Sequence, residues 1–216
     1  MTTGRATRAA AVGERILADG VIAIFRGVPP DGVLGLAADL AGGVRVLEVP
    51  LTEPAALESI AALREALHGR AVVGAGSVRT AEDVRGATGA GAEFVVSAGF
   101  FDAVAEACLA EDLLYPPGML SASEVGRALV DGFDLLKLFP AGPVGPRWLA
   151  ALLGPYPDAK FIAVGNLDEQ GAARRAGRRR RRGLARLRSP RAARPELARL
   201  VDRLRARHGA KLSSSS

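Results

Sequence analysis

Short apolar runs recur along this 216-residue chain at a spacing that few folds accommodate. They begin near residues 21, 44, 71, 94, 113, 134 and 160, and each interval between them carries one helical pattern. Val21-Ile-Ala-Ile-Phe25, Val44-Arg-Val-Leu-Glu-Val49 and Lys160-Phe-Ile-Ala-Val164 are clear strands, whereas Leu113-Leu-Tyr-Pro116 is the weakest. Asp31 is placed to cap the second helix, and later helices are expected over about 54–68, 80–89, 101–111, 121–131 and 145–153. Apolar strands alternating with helices imply a parallel sheet covered by helices. Seven such units in so short a chain predict an α/β fold of the compact (β/α)8 type, a TIM barrel. A doubly wound sheet is the alternative, but no G-x-G-x-x-G follows the first strand.

The pattern breaks where an eighth strand should fall, near residues 178–186. Nine arginines lie between 174 and 188 with no acid among them, and removing them takes the formal net charge from +6 to −3. Burying several unpaired guanidiniums in a barrel strand would be prohibitively unfavourable, so strand eight is doubtful and 174–192 is anomalous. Regular pattern on both sides of the break reads as two compensating frameshifts or a sequencing error. A divergent basic loop is the alternative. Such a loop could bind polyanions, but no aromatic platform or reading motif accompanies it, and nucleic acid is not an expected partner. A closing helix begins near Pro195, giving one domain over 1–210, and 211–216 reads as a disordered tail. No apolar run approaches the roughly 20 residues of a membrane span, and no signal-peptide core precedes Glu14, so a cytoplasmic protein with no membrane partner is expected. Cys108 sits in a helical pattern as a core residue, and His68 and His208 are too few and too far apart for a metal site.

Only three lysines (Lys137, Lys160, Lys211) stand among the 29 cationic residues. Lys137 lies inside the apolar run Asp134-Leu-Leu-Lys-Leu-Phe-Pro140, where burial would lower its pKa and make it a nucleophilic amine. Functional residues of parallel barrels gather at strand C-termini. There the chain offers Arg26, Glu48, Ser77, Ser97, Lys137 and Gly165. A lysine to attack a ketone, a carboxylate to carry protons and an arginine to hold an anionic group make a Schiff-base constellation. Each member alone has a plainer explanation. Lys137 could be an edge-strand residue with its ammonium in water, and Glu48 a solvated acid. Ser77 could be a helix cap, and Arg26 the partner of a nearby carboxylate.

Val21-Ile-Ala-Ile-Phe-Arg-Gly27, Val46-Leu-Glu-Val49, Val73-Gly-Ala-Gly-Ser-Val78, Phe94-Val-Val-Ser-Ala-Gly-Phe100, Pro117-Gly118 and Leu136-Lys-Leu-Phe-Pro-Ala141 together resemble the class I 2-keto-3-deoxy-6-phosphogluconate (KDPG) aldolases. Close relatives of that family act on the 6-phosphogalactonate (KDPGal) epimer and on 4-hydroxy-2-oxoglutarate (KHG). The resemblance covers about residues 14–172. It implies a homotrimeric barrel that needs no metal or cofactor. It also implies cleavage of a small phosphorylated 2-keto acid to pyruvate and glyceraldehyde 3-phosphate. Lys137 matches the Schiff-base lysine, Glu48 the acid/base glutamate and Arg26 a substrate-binding arginine. Ser77 stands where threonine is usual, Phe139 matches the aromatic beside the lysine, and Gly165 matches the first glycine of the phosphate loop. Thr52 replaces an arginine common in gluconate-type members, Asn166 replaces the second loop glycine, and Ala98 replaces a proline. The segments around residues 26–31 and 49–54 look nearer the galactonate type. The arginine run replaces a strand ending in Gly-Ser that supplies phosphate-binding N–H groups. The resemblance therefore leaves open the epimer, KHG as substrate, and an inactive barrel with a damaged phosphate site.

Overall fold

A computed structural model of the chain describes residues 7–40 and 43–165. Its elements are α1 (Arg8–Asp19), β1 (Ala23–Ile24), a 3-10 turn (Pro30–Gly32), α2 (Val33–Leu40), β2 (Val46–Pro50), α3 (Ala56–Leu67), β3 (Val72–Gly76) and α4 (Ala81–Gly89). They continue with β4 (Phe94–Val95), α5 (Asp102–Ala110), β5 (Gly118–Met119), α6 (Ala122–Val130), β6 (Leu135–Leu138), α7 (Ala141–Leu152) and β7 (Lys160–Ala163). All paired strands run parallel in the orders β1-β2-β3-β4 and β5-β6-β7. A parallel bridge between Phe94 and Leu114 joins the two groups, where the Val95 N–H donates to the Leu114 carbonyl at 2.9 Å. Strands thus neighbour one another in chain order, which is the winding of a (β/α)8 barrel. The fold is α/β of that type, seven units of it lying within the described residues. The expected strand eight, the arginine run, the closing helix and the tail all lie outside them.

Local sequence explains where several helices start. Thr80 and Ser121 accept from the N–H groups of Asp83 and Glu124, whose carboxylates accept in return, so α4 and α6 both open on capping boxes. Thr7 caps α1, and Gly20 ends it at φ 77°. Three details differ from expectation. Asp31 lies inside a 3-10 turn that precedes α2, and no side chain caps that turn. The fifth strand is split: Leu114, within the expected stretch, bridges to Phe94 of β4, whereas the ladder to β6 forms at Gly118–Met119, beyond Pro116 and Pro117, which have no N–H to give. The helix expected from residue 145 begins at Ala141, breaks at Gly145 (φ 70°, ψ 179°) and restarts at Pro146.

Strand alternation divides the core into shells. Ile22, Ile24, Val46, Val72, Phe94, Val96, Leu135, Ile162 and Val164 face the barrel interior, and Val12 and Ile16 of α1 pack against them as a plug at its N-terminal end. Glu93 holds α1 and α3 in place by pairing with Arg15 at 3.5 Å and with Arg64. The intervening residues Ala23, Leu47, Val73 and Val95 pack outward under α2 to α5. Leu136, Leu138, Phe161 and Ala163 do the same under α6 and α7. Each large side chain so buried contributes roughly 1.5–3 kcal/mol.

The interior is filled by shape as well as by polarity. Gly74 pairs in register with Phe94, and a Cβ on Gly74 would stand 2.4 Å from the Phe94 ring, which is fully buried. The glycine thus lets the ring lie flat across β3. Gly74→Ala should lower the unfolding free energy by about 1–3 kcal/mol, read as a lower urea midpoint at unchanged slope. A midpoint equal to that of the parent chain would contradict this packing.

Candidate functional site

The same alternation that buries Val46 and Leu135 aims two charged side chains into the barrel. Glu48 follows Val46 by two residues on β2, and Lys137 follows Leu135 by two on β6. Glu48 is aligned with Ile24 and Gly74 across its neighbours, and Lys137 with Gly118 and Ile162. Both lie over the apolar interior, and β2 and β6 are four places apart in an eight-strand order, hence on opposite walls. Exposure is 3% for Glu48 and 6% for Lys137. The edge-strand explanation of Lys137 therefore fails: β6 is flanked by β5 and β7 and the residue is buried. Glu48 is likewise no solvated strand-end acid.

Each side chain is fixed by its backbone and by what lies beside it. The Phe25 N–H donates to the Glu48 carbonyl at 2.8 Å, and the Lys137 N–H donates to the Pro117 carbonyl at 2.9 Å. The Glu48 carboxylate lies directly against Gly76, where a Cβ would stand 1.9 Å from Oε1. Lys137 Nζ is 5.5 Å from the centre of the Phe139 ring, within cation–π range. Gly165, at φ 94°, packs against the other side of this corner: a Cβ there would be 2.9 Å from Phe139 and 3.3 Å from Pro140. The Gly142 N–H donates to the Gly165 carbonyl at 2.8 Å, stitching the loop after β7 to the start of α7.

A second cluster forms over the ends of β1, β2 and β3. Arg26 Nη1 donates to Thr52 Oγ1 at 3.3 Å, and Nη2 donates to Ser77 Oγ at 3.5 Å. Ser77, at φ 61°, directly follows Gly76 and caps no helix, since Thr80 caps α4. Arg26 does pair with a carboxylate, Glu53, at 3.6 Å. The mouth thus holds Arg26, Thr52 and Ser77 on one side and Lys137, Phe139 and Gly165 on the other, with Glu48 inside. Asn166 lies outside the described residues. Ser97 belongs to the frame: its buried hydroxyl donates to the Val78 carbonyl at 2.6 Å. Cys108 is core, and burial pushes its thiol up to about 12. Among the described residues no group of three or more His, Cys, Asp or Glu could hold a metal ion.

Sequence reasoning missed Glu53 and Gly76. The signal for Glu53 was present: Arg26 and Thr52 each follow their strand's last residue by two, so the side chain after Thr52 falls beside Arg26. Gly76 could not be singled out, because only the position of the Glu48 carboxylate shows what a side chain there would displace.

The family model described as KDPG and KHG aldolase matches residues 14–174, so the match ends where the arginine run begins. A Treponema pallidum (strain Nichols) protein named 2-dehydro-3-deoxy-phosphogluconate aldolase is 38% identical over 63% of this chain and 65% of its own length. The chain thus aligns with just under two thirds of that relative. An Escherichia coli (strain K12) protein named 2-dehydro-3-deoxy-6-phosphogalactonate aldolase is 32% identical over 71% of this chain and 76% of its own. Among solved structures, the Legionella pneumophila KDPG aldolase "with pyruvate captured at low pH as a covalent carbinolamine intermediate" superposes with a TM-score of 0.77. It is 25% identical, over 91% of this chain and 95% of that one.

Gly76 is not at a positive φ, so alanine is tolerated by the backbone while its methyl evicts the carboxylate. A crystal structure of Gly76→Ala should show the Glu48 side chain swung off this position, at a stability cost of about 1 kcal/mol for the rotamer change. An unmoved carboxylate would refute the close approach.

Proposed function

The chain belongs to the KDPG and KHG aldolase family, and we propose that it cleaves 2-keto-3-deoxy-6-phosphogluconate to pyruvate and glyceraldehyde 3-phosphate through an imine on Lys137. The observation that carries this reading is a lysine buried inside a parallel barrel, on the wall opposite a buried glutamate, with an arginine, a serine and a threonine at the same mouth. Burying two ionisable groups over an apolar floor is unfavourable for stability, and such groups collect at reactive sites.

The Lys137 amine adds to the C2 ketone and forms a carbinolamine, which loses water to give an iminium ion. That cation is the electron sink. A base removes the proton of the C4 hydroxyl, the C3–C4 bond breaks, and its electron pair moves into an enamine on the lysine. The aldehyde departs. Protonation at C3 and addition of water then release pyruvate and restore the amine. Glu48 carries these protons, being the carboxylate inside the same barrel. Arg26 and Ser77 hold the carboxylate of the pyruvyl end, and Thr52 supplies a neutral hydroxyl beside them. Phe139 packs beside the lysine. Gly165 begins the loop that takes the phosphate, and Asn166 is assigned to the same loop.

The relatives' names favour KDPG as substrate, with the KDPGal epimer and KHG as alternatives. A cytoplasmic homotrimer with a single domain over 1–210 belongs to the same proposal. The end of the family match at residue 174 supports reading the arginine run as a frame-shifted stretch, one that takes the place of a phosphate-binding strand end. No helix of the described residues is long and apolar enough to cross a membrane.

The test is pyruvate release from KDPG, KDPGal and KHG in parallel. KDPG should be cleaved fastest, and Lys137→Ala should lose roughly 10⁴-fold or more in kcat, the scale seen when a covalent nucleophile is removed. No pyruvate from any of the three, or undiminished release by Lys137→Ala, would overturn the proposal. Faster cleavage of KHG than of either phosphorylated substrate would point to loss of the phosphate site.

A further inference from the structure

The loop that follows β1 has little regular structure to hold it, yet it carries Arg26. β1 is only two residues long, and the backbone turns at Gly27 with φ 69°. The Gly27 N–H donates to Glu53 Oε2 at 2.8 Å. The other oxygen of the same carboxylate, Oε1, is 3.6 Å from Arg26 Nη1. One carboxylate therefore grips both the peptide after Arg26 and the guanidinium itself. Its own base is firm: the Glu53 N–H donates to the Pro50 carbonyl at 3.0 Å, and the Leu51 N–H donates to the Gly76 carbonyl at 2.8 Å. Glu53 thus projects from a turn locked to the ends of β2 and β3.

We infer that Glu53 is the positioning residue of Arg26, fixing the guanidinium so that it meets the carboxylate of a 2-keto acid at the mouth of the barrel. The geometry distinguishes this from an incidental surface pair. An arginine side chain has many rotamers and loses substantial entropy when fixed. Here Thr52 and Ser77 each accept from a different terminal nitrogen, and Glu53 supplies the one full charge of the set. The Glu53 side chain is 15% exposed against 39% for Arg26, so the anchor is the more sheltered partner. Ion pairs this exposed add little to stability, so the effect falls on ligand binding and not on the melting temperature. Glu53 touches no substrate in this scheme and acts only through Arg26.

The inference rests on the aldolase reading, and its test is chosen to keep the two apart. An enamine of pyruvate re-protonates at C3, so in D2O the enzyme should exchange the methyl protons of pyruvate for deuterium, followed by NMR. The KM for pyruvate in this exchange should rise about tenfold in Glu53→Ala, the worth of one charge-assisted contact. Its kcat should change by about twofold or less. Glu53→Gln keeps an oxygen for the Gly27 N–H but not the charge, and should raise KM by a smaller factor. In an Arg26→Ala background, Glu53→Ala should add nothing. A parental KM in both Glu53 variants, or the same rise with and without Arg26, would overturn the inference. If Glu53→Ala does not fold, the KM of Glu53→Gln decides alone. If the parent chain exchanges no protons of pyruvate, the aldolase reading fails instead. The clamp is then read from the rate at which phenylglyoxal modifies Arg26, followed by mass spectrometry. That rate should rise in either variant, and equal rates would refute the clamp.

Discussion

Two charged side chains inside an apolar barrel are the constraint around which this structure is arranged. Transfer of an ionised carboxylate or ammonium out of water is strongly unfavourable unless the surroundings answer it. Glu48 and Lys137 nevertheless follow the inward apolar residues Val46 and Leu135 by one alternation step, with Ile162 in register beside Lys137. These apolar residues cannot hydrate them. Arg26, Thr52 and Ser77 sit beyond the C-terminal ends of the neighbouring strands β1, β2 and β3. A hydrophobic base with a polar rim makes the low-dielectric pocket in which an amine can act as a nucleophile and a nearby carboxylate as a proton carrier.

Glycine shapes this interior as much as the large residues do. Gly74 yields its side-chain volume to the Phe94 ring, Gly76 to the Glu48 carboxylate and Gly165 to Phe139. At Gly118 a Cβ would fall 2.3 Å from the Ala98 backbone, so β5 lies tight against the end of β4 beside the strand that carries Lys137. These four positions let backbone and ring approach where an alanine would hold them apart.

Much of this was legible in the sequence, for physical reasons. Apolar runs at even intervals, each followed by a helical pattern, admit few architectures, so the seven strands and the strand ends carrying Glu48 and Lys137 could be placed, whereas the inward direction of those two side chains could not. Thr80-Ala-Glu-Asp83 and Ser121-Ala-Ser-Glu124 carry their capping boxes openly. What escaped depends on side-chain geometry across loops. The strand ends place Glu53 near Arg26, but its grip on the Gly27 N–H joins residues 26 apart and depends on the turn the loop takes. The pairing of β5 with β6 lies past the prolines of the expected stretch, while Leu114 within that stretch bridges to β4. The helix over β6 started earlier than its pattern because the Gly145–Pro146 break hides a first turn at Ala141. The run from residue 174 onward was visible as an anomaly of charge, and the family match stops at its edge.

The account stands or falls on which amine reacts. Lys160, the other lysine among the described residues, is half-exposed and paired with Asp134 on the outer surface. Incubation with pyruvate and sodium borohydride, followed by peptide mass spectrometry, tests the central claim directly. A reduced pyruvyl adduct on Lys137, absent from Lys137→Ala, is the predicted result. An adduct on Lys160 instead, or undiminished trapping in Lys137→Ala, would contradict it.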